Sequence, residues 1–310
     1  MSGALRDLVV GLATELRDLV RPGLGDHAGR THERAGAGGD ITFAIDEQAE
    51  AFLEAYVAER APTVAFYSED RGLVEPARPA EHVLVVDPID GTRPALAGFE
   101  AACVSVALAP LGSGSPTMGD VSLGAVIEIK SGLSFVAERG RGVEASVPIA
   151  PSRTTDLSRL FWVYGLRGRP ARPMMEVLGD LVDASSVGGA SFDLGAATYD
   201  MTRVATGQLD AYVEPGPRMV SEVPGMRAEF ERVGGGQLLN NSPYDLAAAA
   251  LICTEAGVMV TDAAGRRLDP RPLLGSGADA QMSVITAANA ELHAALVAAV
   301  DRGIARLQAR

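Results

Sequence analysis

The run Val83-Leu84-Val85-Val86, followed at once by Asp87-Pro88-Ile89-Asp90-Gly91-Thr92, constrains this chain more than any other stretch. Four consecutive apolar residues read as a buried strand of an α/β sheet. Two carboxylates then stand where the strand is expected to end, and Pro88 and Gly91 turn the backbone there. Glycine followed by threonine commonly leaves a turn and presents backbone N–H groups at a helix start. Strand-end loops are the usual place for sites in α/β folds. Carboxylates suited to hard cations, beside N–H groups suited to a phosphate, are the parts of a metal-dependent phosphatase.

Bulk properties agree with that reading and exclude others. The 310 residues suffice for one large α/β domain or two packed halves. A net charge of −13 argues against nucleic-acid or anionic-membrane binding, which favour basic surfaces. It also sets a problem, because an acidic protein repels an anionic substrate; bound divalent cations would make the pocket locally positive. Cys103 and Cys253 lie in apolar runs and read as buried free thiols, which fits a reducing cytoplasm. No signal peptide and no run of membrane-spanning length is seen.

Apolar spacing predicts a first amphipathic helix over 4–20 and a second from Asp46 to Arg60, with a mobile Gly/Ala-rich loop at 22–39 between them. Strands are expected at Val64–Tyr67, Val104–Ala109, Leu123–Ile129 and Leu133–Ala137. A seam near 147–156 separates residues 1–150, carrying the acidic motifs, from 151–310. The second half alternates strands (Leu160–Tyr164, Leu209–Val213, Val258–Thr261, Val284–Ala287) with helices (Arg172–Val182, Leu194–Thr206, Leu246–Glu255, Ala290–Leu307). Residues 215–242, rich in Pro and Gly, read as a long loop or insertion, which in a compact domain is often functional.

Ser68-Glu69-Asp70 is a second acidic motif at an expected strand end, so neighbouring strands would deliver carboxylates to one edge. Asp40 and Asp46 form a further acidic pair, with Asp46 near a helix start; Asp245 stands at the start of another helix, where an Asp caps well. A phospho-aspartate phosphatase of the haloacid-dehalogenase type needs its second Asp two residues after the first. Here the spacing is three. His27, His32, His82 and His293 show no ligand spacing and read as structural or surface residues.

Asp87–Thr92, with Ser68-Glu69-Asp70 upstream and Pro243-Tyr244-Asp245-Leu246-Ala247-Ala248 downstream, resembles the inositol monophosphatase family. Val204–Glu214 and Ser283–Asn289 look like further segments of that family, so the resemblance spans most of the chain. It implies an α/β fold with layered α-β-α-β-α architecture, homodimerisation and a cytoplasmic, Mg²⁺-dependent phosphomonoesterase. It also implies roles. Glu69, Asp87 and the Ile89 carbonyl would hold one Mg²⁺; Asp87, Asp90 and Asp245 a second; a third, weaker ion would sit near Glu69 through water. Thr92, linked to Asp46, would orient and deprotonate the attacking water, assisted by Asp70. Gly91 and Thr92 N–H groups would grip the phosphate, and Gly195, Ala197 and Glu214 would face the alcohol part of the substrate.

The chain departs from the family at several positions. Asp70 stands where a second Glu is usual, Pro94 where Asn is usual, and Thr42 one place ahead of the usual threonine, with Phe43 in its position. Between Glu214 and Asp245 the family has only a few residues; here the segment holds Arg218, Arg227 and Arg232 and is expected to cover the pocket, to meet a second anionic group, or to lie at a distance. The substrate is left open among inositol, sugar and histidinol phosphates, sugar bisphosphates and 3′-phosphonucleotides. A metal- or ligand-binding regulator without catalysis stands as the other class.

Overall fold

The computed structural model describes residues 3–26, 32–35, 41–112 and 114–309, with the backbone alone for 32–35, 41 and 42. Asp40, His27 and half of the expected 22–39 loop lie outside the described residues. The first part of the chain runs α1 (Gly3–Val20), β1 (His32–Ala35), β2 (Ile41–Phe43), α2 (Ala44–Arg60), β3 (Ala65–Ser68), β4 (Gly72–Val74), β5 (His82–Asp90), α3 (Thr92–Leu96), β6 (Cys103–Pro110), β7 (Leu123–Glu128), β8 (Ser134–Glu138) and β9 (Val143–Ala145). Strands β3 to β9 build a seven-stranded sheet in the order β4-β3-β5-β6-β7-β8-β9, antiparallel except for the β3–β5 pair.

The rest runs β10 (Phe161–Val163), α4 (Ala171–Ala184), β11 (Ala190–Phe192), α5 (Ala197–Ala205), β12 (Ala211–Glu214), α6 (Gly216–Glu222), α7 (Met226–Val233), α8 (Pro243–Glu255), β13 (Met259–Thr261), β14 (Val284–Ala287) and α9 (Ala290–Gln308). Its five strands form a second sheet in the order β11-β10-β12-β14-β13. The expected helices and strands of this half appear with ends shifted by up to three residues; the short strand β11 was not anticipated.

Side-chain alternation along β5 explains the layering. Leu84 and Val86 pack with Val9, Leu12 and Leu16 of α1 and Leu53 of α2 on one face. Val83 and Val85 face α5 and α8 on the other, in a core that also takes Tyr212 and Val284 from the second sheet. The far side of that sheet is covered by α4, α6 and α9, with Trp162, Met174, Leu178 and Leu296 fully buried. Layers therefore follow as helices, sheet, helices, sheet, helices. Each fully buried aliphatic side chain contributes about 1.5–3 kcal/mol to holding them together. The inner layer sits close because it is small: a Cβ on Gly124 of β7 would approach the Ala248 backbone of α8 to 3.0 Å.

Two expectations change. The strand does not end at Val86 but continues through Asp90, across a bulge. Residues 215–242 are not a loop: they hold α6 and α7, with an irregular return only after Val233.

Candidate active site

The bulge decides where the carboxylates point. Asp87 pairs with Ser105 and Asp90 with Cys103, so three steps on β5 match two on β6. Residues three apart on a regular strand face opposite sides; one extra residue returns both carboxylates to the same side. Gly91 then takes φ +89°, and a Cβ there would lie 2.5 Å from the Ala101 carbonyl. Only glycine fits the turn that starts α3.

Asp245 comes from the other direction, at the third position of α8, where its Oδ2 accepts the Ser242 N–H at 2.6 Å. Among the described residues, Asp87, Asp90 and Asp245 place one carboxylate oxygen each within 4.8 Å of one another. Thr198 ties them: its N–H donates to Asp90 Oδ2 at 2.6 Å and its hydroxyl to the Asp245 carbonyl at 2.9 Å. The Ile89 N–H donates to Asp87 Oδ1 at 2.9 Å. Burial, then the neighbouring acids Asp90, Asp245 and Glu69, push the Asp87 carboxyl well above its usual range. Burial lifts Asp90 to about 6 against the Thr198 hydrogen bonds. Burial and then Asp90 lift Asp245 to about 7.

Beside this cluster, the Thr92 hydroxyl lies 2.9 Å from Asp46 Oδ1 and 3.2 Å from the Ile89 carbonyl. It has one proton, and the carboxylate is the stronger acceptor. Asp46 Oδ2 accepts the Phe43 N–H at 2.9 Å, so one side chain caps α2 and holds the threonine.

A cavity of about 230 Å³ opens over these groups, lined among others by Glu69, Asp87, Asp90, Gly91, Thr92, Gly195 and Asp245. Glu69 lies in this wall but outside the close group of three. Ala197 is buried and lines a smaller space of about 50 Å³ behind it. Asp70 lines neither. Its N–H donates to Glu50 Oε1 at 3.2 Å, and the Ser68 hydroxyl to Glu50 Oε2 at 2.7 Å, so buried Glu50 anchors the acidic strand end. Burial lifts the Glu50 carboxyl to about 7.

Glu214 lines neither space: it is fully buried, pairs with buried Arg169 at 2.7 Å and accepts the Gly216 N–H at 2.7 Å. The insertion arginines also turn away. Arg218 bonds Glu222, Asp301 and the Ala263 carbonyl, while Arg227 and Arg232 pair within their own helix. What the insertion gives the cavity is Leu238, Leu239, Asn240 and Ser242, the first and third fixed through Gln281, which donates to the Leu238 carbonyl at 2.5 Å and accepts from Asn240 at 3.0 Å. Arg167 and Gln281 carry no sequence motif. Glu50 had one faint signal, its spacing of four from Asp46 on the same helix.

The donor set is all oxygen and anionic, and burial without a counter-charge is costly for it, so a hard divalent cation fits these residues. The inositol monophosphatase family model matches residues 4–305. A fructose-1,6-bisphosphatase/inositol-1-monophosphatase of Methanothermobacter thermautotrophicus is 26% identical over 298 residues, 93% of each chain. A Nus factor SuhB of Vibrio cholerae is 26% identical over 231 residues, 73% of each. The solved extragenic suppressor protein suhB of Bartonella henselae superimposes with a TM-score of 0.73 at 22% identity, covering 97% of this chain and 100% of that one.

Proposed function

Because the chain belongs to the inositol monophosphatase family, we propose that it is a Mg²⁺-dependent phosphomonoesterase for a small polyol or sugar phosphate. The observation that carries this is the convergence of Asp87, Asp90 and Asp245 from two distant segments to within 4.8 Å, beside a threonine hydroxyl held by Asp46. A folded protein retains three mutually repelling carboxylates, two of them on buried residues, where their charge has a use.

In this reading Asp87, Asp90 and Asp245, with Glu69 and the Ile89 carbonyl, would hold two ions, and Glu69 would help to hold a third through water. When bound, the ions supply Lewis acidity and neutralise the charge that grows on the phosphoryl oxygens. The chain supplies the rest. Thr92 donates its hydroxyl proton to Asp46 and accepts a hydrogen bond from the attacking water, so that as the water attacks, its proton passes to the Thr92 oxygen while the Thr92 proton moves to the Asp46 carboxylate. Gly91 and Thr92 N–H groups meet the phosphate, Asp70 supports Glu69 from behind, and Gly195 at the mouth and Ala197 beneath it shape the alcohol end. The same proposal takes the protein to be a cytoplasmic homodimer.

The name of the Methanothermobacter relative supports a polyol or sugar phosphate as the substrate class. The name Nus factor sets the competing reading, action by binding alone. Phosphate release from myo-inositol 1-phosphate, fructose 1,6-bisphosphate, histidinol phosphate and adenosine 3′,5′-bisphosphate, each with Mg²⁺ and with chelator, separates the two. Mg²⁺-dependent turnover of at least one is expected; metal binding with no release from any would reverse the conclusion.

A further inference from the structure

Two buried hydroxyls grip the start of α8 from the side of β5, and no step of the proposed hydrolysis uses them. Ser105 of β6 stands opposite Asp87 in the ladder, and its hydroxyl donates to the Tyr244 carbonyl at 3.3 Å. Thr198, the second residue of α5, donates its N–H to Asp90 Oδ2 at 2.6 Å and its hydroxyl to the Asp245 carbonyl at 2.9 Å. Each β5 carboxylate is thus linked, through one residue, to one of two consecutive carbonyls in the first turn of α8. Both linking residues are fully buried, so solvent does not compete for their hydroxyls. The helix itself has no need of these bonds, because a carbonyl in its first turn accepts the N–H four residues on and the hydroxyl takes the second lone pair. Asp245 also has one side-chain oxygen fixed by the Ser242 N–H. With backbone and side chain both held, the oxygen it turns toward Asp87 and Asp90 has little freedom to shift. A fixed oxygen set sorts cations by size: Mg²⁺ demands near-octahedral oxygens at about 2.0–2.1 Å, whereas Ca²⁺ tolerates irregular ones at about 2.3–2.6 Å.

We propose that Thr198 and Ser105 are positioning residues that set the spacing between Asp245 and the β5 pair, and that this spacing shifts the balance of cation binding from Ca²⁺ toward Mg²⁺. Neither side chain is a ligand. Both act through the backbone of α8, and Thr198 acts through Asp90 as well. Without a hydroxyl, the turn that carries Asp245 is freer to move. A mobile ligand still suits the larger, more tolerant ion, so Mg²⁺ loses more than Ca²⁺. The inference rests on the cation site of the proposed function and is independent of ester hydrolysis.

Thermal unfolding of the full chain, titrated with Mg²⁺ or with Ca²⁺ in the absence of substrate, reads both affinities through ligand linkage. Thr198→Val keeps the shape and the N–H to Asp90 and removes only the hydroxyl. It should weaken Mg²⁺ by about tenfold, the lower end of what an outer partner of a metal ligand contributes, and weaken Ca²⁺ less, so that the ratio of the two affinities falls. Thr198→Ser should restore the ratio. Ser105→Ala should lower it in the same direction but by less, its bond being the longer one, and it decides the question should Thr198→Val fail to fold. A hydroxyl that merely stabilised the fold would lower Tm in chelator and leave the ratio at its wild-type value; that result overturns the proposal. Wild type responding to neither ion overturns the cation site and this proposal together. A ratio that shifts as expected in a protein with no Mg²⁺-dependent phosphate release supports the proposal and refutes the phosphatase reading alone.

Discussion

Asp245→Asn should stabilise the metal-free protein while abolishing its function. Asparagine keeps the side-chain oxygen that caps α8 by accepting the Ser242 N–H, so the helix start survives. What disappears is one negative charge within 4.8 Å of two others. At that separation each pair repels by about 3.5 kcal/mol for an effective dielectric near 20. Partial protonation and retained desolvation of the amide reduce what is recovered, and about 3 kcal/mol is expected at pH 8. For a chain of this size that corresponds to a rise in Tm of roughly 5 °C. The assay is thermal unfolding in chelator, followed by the same scan with excess Mg²⁺. Wild type should gain from Mg²⁺ by ligand linkage, and Asp245→Asn should gain far less. The order of stabilities therefore inverts between the two conditions. If the variant melts at or below wild type in chelator, the three carboxylates do not repel as their geometry requires, and the case for a cation site falls with it.

Thr92→Val preserves shape and removes the hydroxyl held by Asp46; turnover should fall by about 10²–10⁴ with Tm nearly unchanged, checked by phosphate release and calorimetry. Arg203→Met leaves buried Glu128 without its ion-pair partner and should cost about 3–5 kcal/mol in denaturant unfolding, whereas adding Glu128→Gln recovers part of the loss. Burial lowers the pKa of His293, which sits 2.7 Å from the Thr261 hydroxyl. Its contribution to stability is present above the unfolded value of 6.5 and is lost as pH falls below it toward the folded value, so His293→Gln should flatten the stability decline that begins as pH drops below 6.5.

The layers were legible through the family resemblance; buried runs such as Val83–Val86 marked individual strands of an α/β sheet but not how the sheets stack. The sequence made Asp87, Asp90, Asp245, Thr92 and Asp46 legible as a group only through the order of three acidic motifs. What it hid has physical causes. The bulge that aligns Asp87 with Asp90 is a register property of two strands; Pro88, which has no N–H for the ladder, marks the place but reads equally well as the end of the strand. Glu214 was read from its own segment; its ion-pair partner Arg169 lies 45 positions away. Residues 215–242 read as loop since Pro and Gly are frequent there, yet those residues punctuate α6 and α7 instead of replacing them. Arg167 had no signal at all, being a lone arginine that the fold brings to the cavity wall.

Four site carboxylates share one device, and it explains how an acidic cluster can be rigid before any ion arrives. Asp46 gives one oxygen to the Phe43 N–H, Asp87 to Ile89, Asp90 to Thr198 and Asp245 to Ser242. Each backbone N–H fixes one oxygen and thereby aims the other. Charge-assisted bonds of this kind offset part of the desolvation that burial imposes, but they cannot remove the repulsion among the aimed oxygens. Two of the four donors are helix N-cap residues, so forming α2 and α8 and orienting a site carboxylate are the same event. Thr198 joins β5 to α8, because it donates to Asp90 with its N–H and to the Asp245 carbonyl with its hydroxyl. A fold that spends its strongest backbone donors on holding like charges together stores a preference for whatever cation enters between them.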